Sequence, residues 1–256
     1  MAAHYLRFQA EGTVRYGVLQ GDTVAELAGN FLDTTERTGA TYALADVELL
    51  TPTVPTKVMC IGLNYKLHAE ERGKKIPEEP MLFLKPPSAV VATGQEIVLP
   101  AIAQDVEYEG ELAVIIGKRA KFLTVEEARD AIFGITVLND VSERFYQVKD
   151  GQWGRAKGFD TFAPVGPFVA TGLDYQNLKI ETKINGEVKQ SSSTSDMIFT
   201  VDHLVSFVSQ VMTLEPGDIL TTGTPAGVGP LQGGDVCEIT IEGVGTLVNR
   251  VRDLRK

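Results

Sequence analysis

The chain predicts an α+β fold that is mainly β with few helices. Three observations support this. Short apolar or alternating runs, broken by glycine and proline, fill most of the 256 residues. Only three stretches carry helical spacing. Strand and helix patterns do not alternate, which disfavours a doubly wound sheet. The length suits one sizeable domain with a small appendage, and 43% apolar content is ordinary for a globular protein.

In chain order, residues 1–50 read as a small N-terminal β-rich domain. YLRFQ, TVRYGVLQ and TVAEL are short runs separated by Gly12 and Gly21. TPTVPTK, 51–57, carries two prolines and reads as a linker. The larger domain, 58–256, supplies strands at KVMCIGLN, MLFLKP, VEYEGELAVIIGK, FGITVLNDV, PVGPFVAT, LKIETKINGEVK, DILTTG, DVCEITIEG and GTLVNRV. Asn185-Gly186 marks a tight hairpin. One helix is expected over 65–72. A second follows the capping box of Thr124 and Glu127. A third carries Val201, Leu204, Val205 and Val208 at helical spacing, with Thr200 or Asp202 as its cap. His203 lies beside that stripe and reads as structural.

Net charge of −10 argues against nucleic acid or an anionic membrane as partner. A small anionic substrate stays compatible if a metal and a few placed cations reverse the field locally. Cys60 and Cys237 are far apart and lack a CxxC spacing, so they read as buried thiols, neither disulfide framework nor zinc site. The N-terminus has no apolar signal core and no stretch approaches membrane length, so the expected location is cytoplasmic.

Four stretches carry chemistry. In VEYEGELAVIIGK, read as one strand over 106–118, Glu107, Glu109 and Glu111 alternate and fall on one face. Glu109 and Glu111 would stand roughly 6.7 Å apart, with a repulsion of about 2.5 kcal/mol at an effective dielectric of 20. A solvated strand end tolerates that; a buried one needs a cation. Asp140, after the apolar strand ITVLN, adds a third oxygen ligand. Three carboxylates without clustered His or paired Cys point to a hard ion, Mg²⁺ or Mn²⁺.

In GLNYKLHAEERG, His68 and Glu71 share a helix face, and a carboxylate beside an imidazole suits a general base acting on water. Gly62 and Gly73 flank this segment like hinges of a lid. Lys157, before an aromatic run, fits either of two chemistries: contact with an oxyanion beside a metal, or a Schiff base from a desolvated amine. The loop ILTTGTPAGVGPLQGGD offers backbone N–H groups and the Thr224 hydroxyl to an anion. It is not a Walker loop, and Gln232 breaks a G-x-G-x-x-G pattern. Lys85 and the polar run 190–196 are candidates for the far end of a pocket.

Taken together, GLNYKLHAEE, MLFLKPPSAVV, YEGELAVIIGK, NDVSERFYQ, KGFDTFAPVGP, INGEVKQ and LTTGTPAGVG resemble the fumarylacetoacetate hydrolase family, in its order and over residues 58–250. Residues 1–50 resemble the extension of short bacterial members. The resemblance implies a mixed β-sandwich roll, a homodimer, and Mg²⁺ or Mn²⁺ held by Glu109, Glu111 and Asp140. It assigns water activation to His68 with Glu71, a cationic contact near the metal to Lys157, and substrate binding to Arg144, Gln147 and Thr224. Glu107 precedes the matched motif and is set aside. No fourth carboxylate occurs in KVMCIGLN, which places the chain in the three-carboxylate branch.

The expected activity is C–C hydrolysis of an acylpyruvate or related 2-oxo or 1,3-diketo acid through a metal-bound enolate. The alternatives are an isomerase, tautomerase or decarboxylase of a 2-oxo or 2-hydroxy-dienoic diacid in aromatic catabolism, and a metal-independent Schiff-base lyase built on Lys157.

Overall fold

The computed structural model describes residues 2–255. Its large sheet runs Arg37–Ala43, Thr23–Leu27, Thr13–Gln20, Ala3–Ala10, Ala163–Thr171, Ile132–Asn139, Gly110–Ile116, Ile219–Thr221, Val58–Gly62 and Met81–Lys85. A five-stranded sheet packs against it, in the order Glu187–Ser193, Lys179–Ile184, Val236–Ile241, Gly245–Asp253 and Glu96–Leu99. A small third sheet joins Ser142–Glu143, Val106–Tyr108 and Gly229–Pro230.

The strand Gly110–Ile116 is buried at every position. Leu112, Val114 and Ile116 enter the main core with Ile180, Ile239 and Leu247 of the five-stranded sheet. Ala113 and Ile115 alternate into a second core with Leu138, Val165 and Phe31. A strand covered on both faces reads as an unbroken apolar run, as this one does. Residues 3–49 extend the same large sheet, because Ala3–Ala10 pairs antiparallel with Ala163–Thr171. The segment after them is tied down: Thr53 donates to Gly217 O at 2.7 Å, and buried Asp218 accepts from Thr56 N and pairs with Lys57.

One expectation is corrected. Residues 106–118 are two strands, broken at Glu109, so the three glutamates do not form one row. Val106–Tyr108 belongs to the small sheet and Gly110–Ile116 to the large one. At the break, Glu109 N donates to Asn139 Oδ1 at 2.9 Å and Asp140 N donates to Glu109 O at 2.9 Å. Gly110 allows the turn inward: a Cβ there would meet Thr182 Oγ1 at 2.3 Å and Ile239 Cγ2 at 3.1 Å.

The three expected helices form as Lys66–Glu71, Val125–Ala131 with the Thr124 capping box, and Val201–Val211 capped by Thr200. Asn185 and Gly186 take φ of 53° and 80°, as the tight hairpin requires. Two helices were not expected, Arg144–Asp150 and Gly154–Lys157. Glu143 caps the first by accepting from Tyr146 N, and Gly151 ends it with φ of 67°. Cys60 and Cys237 are free and buried. Among the described residues, no helix is long and apolar enough to cross a membrane.

Gly110→Ala overpacks the break. It is expected to cost about 1–3 kcal/mol of stability, read as a lower urea midpoint at unchanged slope. A wild-type midpoint would show that Thr182 yields freely.

Candidate metal centre and active site

Glu109 stands at the strand break, Glu111 two residues on, and Asp140 directly after the partner strand Ile132–Asn139. The register Gly110↔Asn139 and Glu111↔Leu138 brings the three together. One oxygen from each lies within 4.8 Å of the others. All three are buried, at 5%, 1% and 1% exposure. They floor a cavity of about 520 Å³ that His68, Lys157, Arg144, Gln147 and Thr224 also line. The residues expected to hold the metal, activate water and bind the substrate all line this cavity except Glu71, which reaches it through His68.

Cations reach the cage unequally. Lys157 Nζ bridges Glu109 Oε2 at 2.7 Å and Asp140 Oδ2 at 2.6 Å. Arg144 Nη2 donates to Glu109 Oε1 at 2.5 Å, and Lys85 Nζ to Asp140 Oδ1 at 2.5 Å. Glu111 has only a backbone donor, Gly223 N at 2.9 Å, and no cationic partner among the described residues.

The titration directions follow. Burial would raise the Glu109 carboxyl, but Arg144 and Lys157 outweigh it and hold the group well below the usual range. Burial pushes Glu111 well up, and the charges of Asp140 and Glu109 push it further. Burial would lower Lys157, yet Asp140 and Glu109 raise it, so the amine is held as an ammonium rather than as a free nucleophile. Burial lowers Lys85 despite Asp140.

This donor set fits a divalent ion. It is three hard oxygens, buried and open to a cavity, with one carboxylate still lacking a positive neighbour.

Across the cavity, His68 is buried, and its Nδ1 lies 3.0 Å from Glu71 Oε2. Glu71 Oε1 accepts from Gly227 N at 3.0 Å. The glycine-rich loop thus does present N–H groups to anions, here the protein's own Glu71 and Glu111. The carboxylate takes Nδ1 and leaves Nε2 for a proton in the cavity. Thr224 donates to Gly110 O at 2.9 Å and accepts from Gln190 Nε2 at 2.8 Å. Gly62 ends its strand, and its missing Cβ admits the Trp153 ring, which such an atom would meet at 3.0 Å. Trp153 packs edge-on against Phe83 at 5.0 Å, and both line the cavity's apolar wall.

Two expectations about the far end fail. Lys85 is buried against Asp140 and Val141 O, below the cage. Residues 190–196 do not line the cavity; Gln190 instead braces Gly110 N at 3.0 Å and Thr224. Sequence reasoning also missed Glu107 and Arg72, which line the cavity as an ion pair. The alternation that singled out Glu109 and Glu111 already contained Glu107.

Comparison with known proteins matches residues 57–252 to the fumarylacetoacetate (FAA) hydrolase C-terminal family model and residues 3–52 to the Rv2993c-like N-terminal one. The structure of 2-hydroxyhepta-2,4-diene-1,7-dioate isomerase from Mycobacterium marinum superposes with a TM-score of 0.93 at 44% identity, covering 99% of this chain and 100% of that one. Maleylpyruvate hydrolase from Sphingobium sp. SYK-6, solved with manganese(II) and pyruvate, gives 0.82 at 31% identity, covering 98% and 99%. The mitochondrial oxaloacetate tautomerase FAHD2A of Bos taurus is 44% identical over 220 residues, 81% of this chain and 70% of that protein.

Glu111 sets a pH dependence. Its raised carboxyl keeps a proton above the ordinary value of 4.5 and must release that proton to solvent before it can ligate an ion. The contribution of a raised acid is present at low pH and fades as pH climbs through the shifted value; a bound ion replaces it. Stabilisation by Mn²⁺ in thermal unfolding is therefore expected to be larger at about pH 7.5 than at about pH 5. Glu111→Gln should shrink both the stabilisation and its slope. An equal shift at both pH values would contradict the assignment.

Proposed function

The chain belongs to the fumarylacetoacetate hydrolase family, and we propose that it is a divalent-metal-dependent enzyme that forms an enolate from a small 2-oxo or 1,3-diketo acid. The observation that supports this most is the pairing of an unevenly neutralised, buried carboxylate cage with a His–Glu dyad whose His68 lines the same cavity. Glu109, Glu111 and Asp140 would hold Mg²⁺ or Mn²⁺, which would supply Lewis-acid stabilisation of the enolate.

The side chains supply the rest. Lys157 places an ammonium where enolate charge develops. Arg144 and Gln147, joined at 2.9 Å, present donors to the substrate's acid and oxo groups. Thr224 lines the same wall.

In the first reading, the reaction is C–C hydrolysis of an acylpyruvate. His68 Nε2 takes a proton from water, and the hydroxide adds to the acyl carbonyl. The C–C bond then breaks with its electron pair passing to the pyruvate enolate. Protonation of that enolate carbon completes pyruvate and the second acid. Glu71 stabilises the imidazolium between the steps.

A second reading is isomerisation or tautomerisation of a 2-oxo or 2-hydroxy-dienoic diacid, in which His68 moves a proton between carbon and oxygen without water being consumed. The isomerase and the tautomerase share 44% identity with this chain, against 31% for the hydrolase, and that favours it. Decarboxylation of an oxaloacetate-like acid would use the same enolate. A homodimer accompanies this family reading and is checked by light scattering.

A panel of acylpyruvates, oxaloacetate and unsaturated 2-oxo diacids, followed by ultraviolet absorbance and pyruvate release, separates the readings. Glu109→Gln is expected to reduce turnover on the order of 10³-fold and to weaken Mn²⁺ binding. His68→Asn should lower turnover about 10²–10⁴-fold with metal binding intact. Full activity in excess chelator, or borohydride trapping of substrate on Lys157, would instead support the Schiff-base lyase.

A further inference from the structure

Glu107 stands just before the cage and holds two arginines on one oxygen. Its Oε2 accepts from Arg144 Nε at 2.5 Å and from Arg72 Nη2 at 2.5 Å. Its side chain is only 14% exposed. The two arginines come from different segments, Arg144 from the start of the helix Arg144–Asp150 and Arg72 from the end of the helix Lys66–Glu71. Arg144 grips the cage with its other end, at Glu109 Oε1. Arg72 follows the last residue of the helix Lys66–Glu71, and its N–H donates to the carbonyl of His68 at 3.1 Å.

We propose that Glu107 is a positioning residue for the reaction: through Arg72 it fixes the helix that carries His68 at a set height above the carboxylate cage. The proposal rests on the reading that His68 is the base. The physical case is one of anchorage. The first turn of this helix is held by burial of Tyr65 and Ala69. Beyond Ala69, residues 70–74 are all exposed and Gly73 turns with φ of 60°, so little apolar contact holds the last turn. Two polar ties do so instead: Glu71 with Gly227 N, and Arg72 with Glu107.

The two ties differ in what they reach. Glu71 meets the glycine-rich loop. Glu107 meets the same arginine that holds a cage carboxylate, so cage and base share one chain of charge-assisted hydrogen bonds: Glu109, Arg144, Glu107, Arg72. Such bonds are shorter and more directional than neutral ones, which suits transmission of position. General-base chemistry needs His68 within hydrogen-bond reach of the attacked proton, and small displacements are costly.

The test is a double-mutant cycle of Arg72→Gln and Glu107→Gln in the Mn²⁺-loaded protein, read by amide hydrogen exchange over residues 66–74 and by steady-state kinetics. Arg72→Gln is expected to speed exchange in this segment about tenfold and to lower kcat about tenfold. Mn²⁺ affinity should stay near wild type, because Arg72 pairs with Glu107 and not with a cage carboxylate. Arg72→Lys should recover part of both losses. The double variant should be no looser over residues 66–74 than Glu107→Gln alone. Wild-type exchange in Arg72→Gln, or losses that multiply in the double variant, would overturn the proposal. Exchange needs no substrate. If no tested acid is turned over, the functional reading fails while this test still gives its answer. Should Glu107→Gln not fold, Arg72→Gln with its lysine control decides alone.

Discussion

Three carboxylates are buried with an oxygen of each within 4.8 Å of the others, and most of this structure is arranged around that fact. At an effective dielectric of 20, each pair at that distance repels by about 3.5 kcal/mol. Such a cluster persists only if positive charge is delivered to it. Lys157, Arg144 and Lys85 deliver it to Glu109 and Asp140. Among the described residues none pairs with Glu111, which feels Lys157 only at a distance. The imbalance is not a packing accident, because Glu111 lies in a strand that is buried at every position. Glu111 is thus the carboxylate that lines the cavity without a cation paired to it.

The fold explains how carboxylates are kept so deep. The strand Gly110–Ile116 is clamped on both faces by apolar cores, so its start cannot swing outward to hydrate Glu111. Register with Ile132–Asn139 carries Asp140 alongside. The chain then turns into two short helices, each of which ends or begins at a cation for the cage: Arg144 at the start of one, Lys157 at the end of the other. Gln190 crosses from the five-stranded sheet and braces both Gly110 and Thr224. Cage, cations and brace thus come from segments far apart in sequence, and none is placed by local structure alone.

That separation decides what was legible beforehand. Mainly-β character, the capping box at Thr124, the hairpin at Asn185-Gly186 and the helix of Val201–Val211 rest on local patterns and were readable as such. The cage was readable because carboxylates beside apolar strands are unusual, and because several short motifs together resembled one family. The break at Glu109 was not readable. It depends on the close approach of Thr182, some seventy residues away, to a glycine that looks innocuous in sequence. Lys85 was misplaced for a similar reason: nothing near FLKPPSA reveals that its amine ends on Asp140, fifty-five residues on. The helix Arg144–Asp150 was missed because its cap is a glutamate that also serves Gln104 N and Asp105 N, a tertiary role without a local signal.

The same floor beneath the cavity suits hydrolysis, tautomerisation and decarboxylation alike, since each passes through an enolate beside a cation. Relatives named as a hydrolase and as an isomerase share the fold at TM-scores of 0.82 and 0.93. Selection among the reactions must therefore lie in what faces the floor. Hydrolysis requires a water between His68 and the substrate's acyl carbon. Proton transfer alone is better served when that water is excluded. In this protein the opposing wall is apolar around Phe83 and Trp153, and polar around His68 and the pair of Arg72 with Glu107. Which reaction dominates then depends on how closely the His68 helix is held down, and on whether the remaining volume admits water beside the bound acid. In the proposed enzyme the ion would supply the shared chemistry, and the height of one short helix above it would supply the choice.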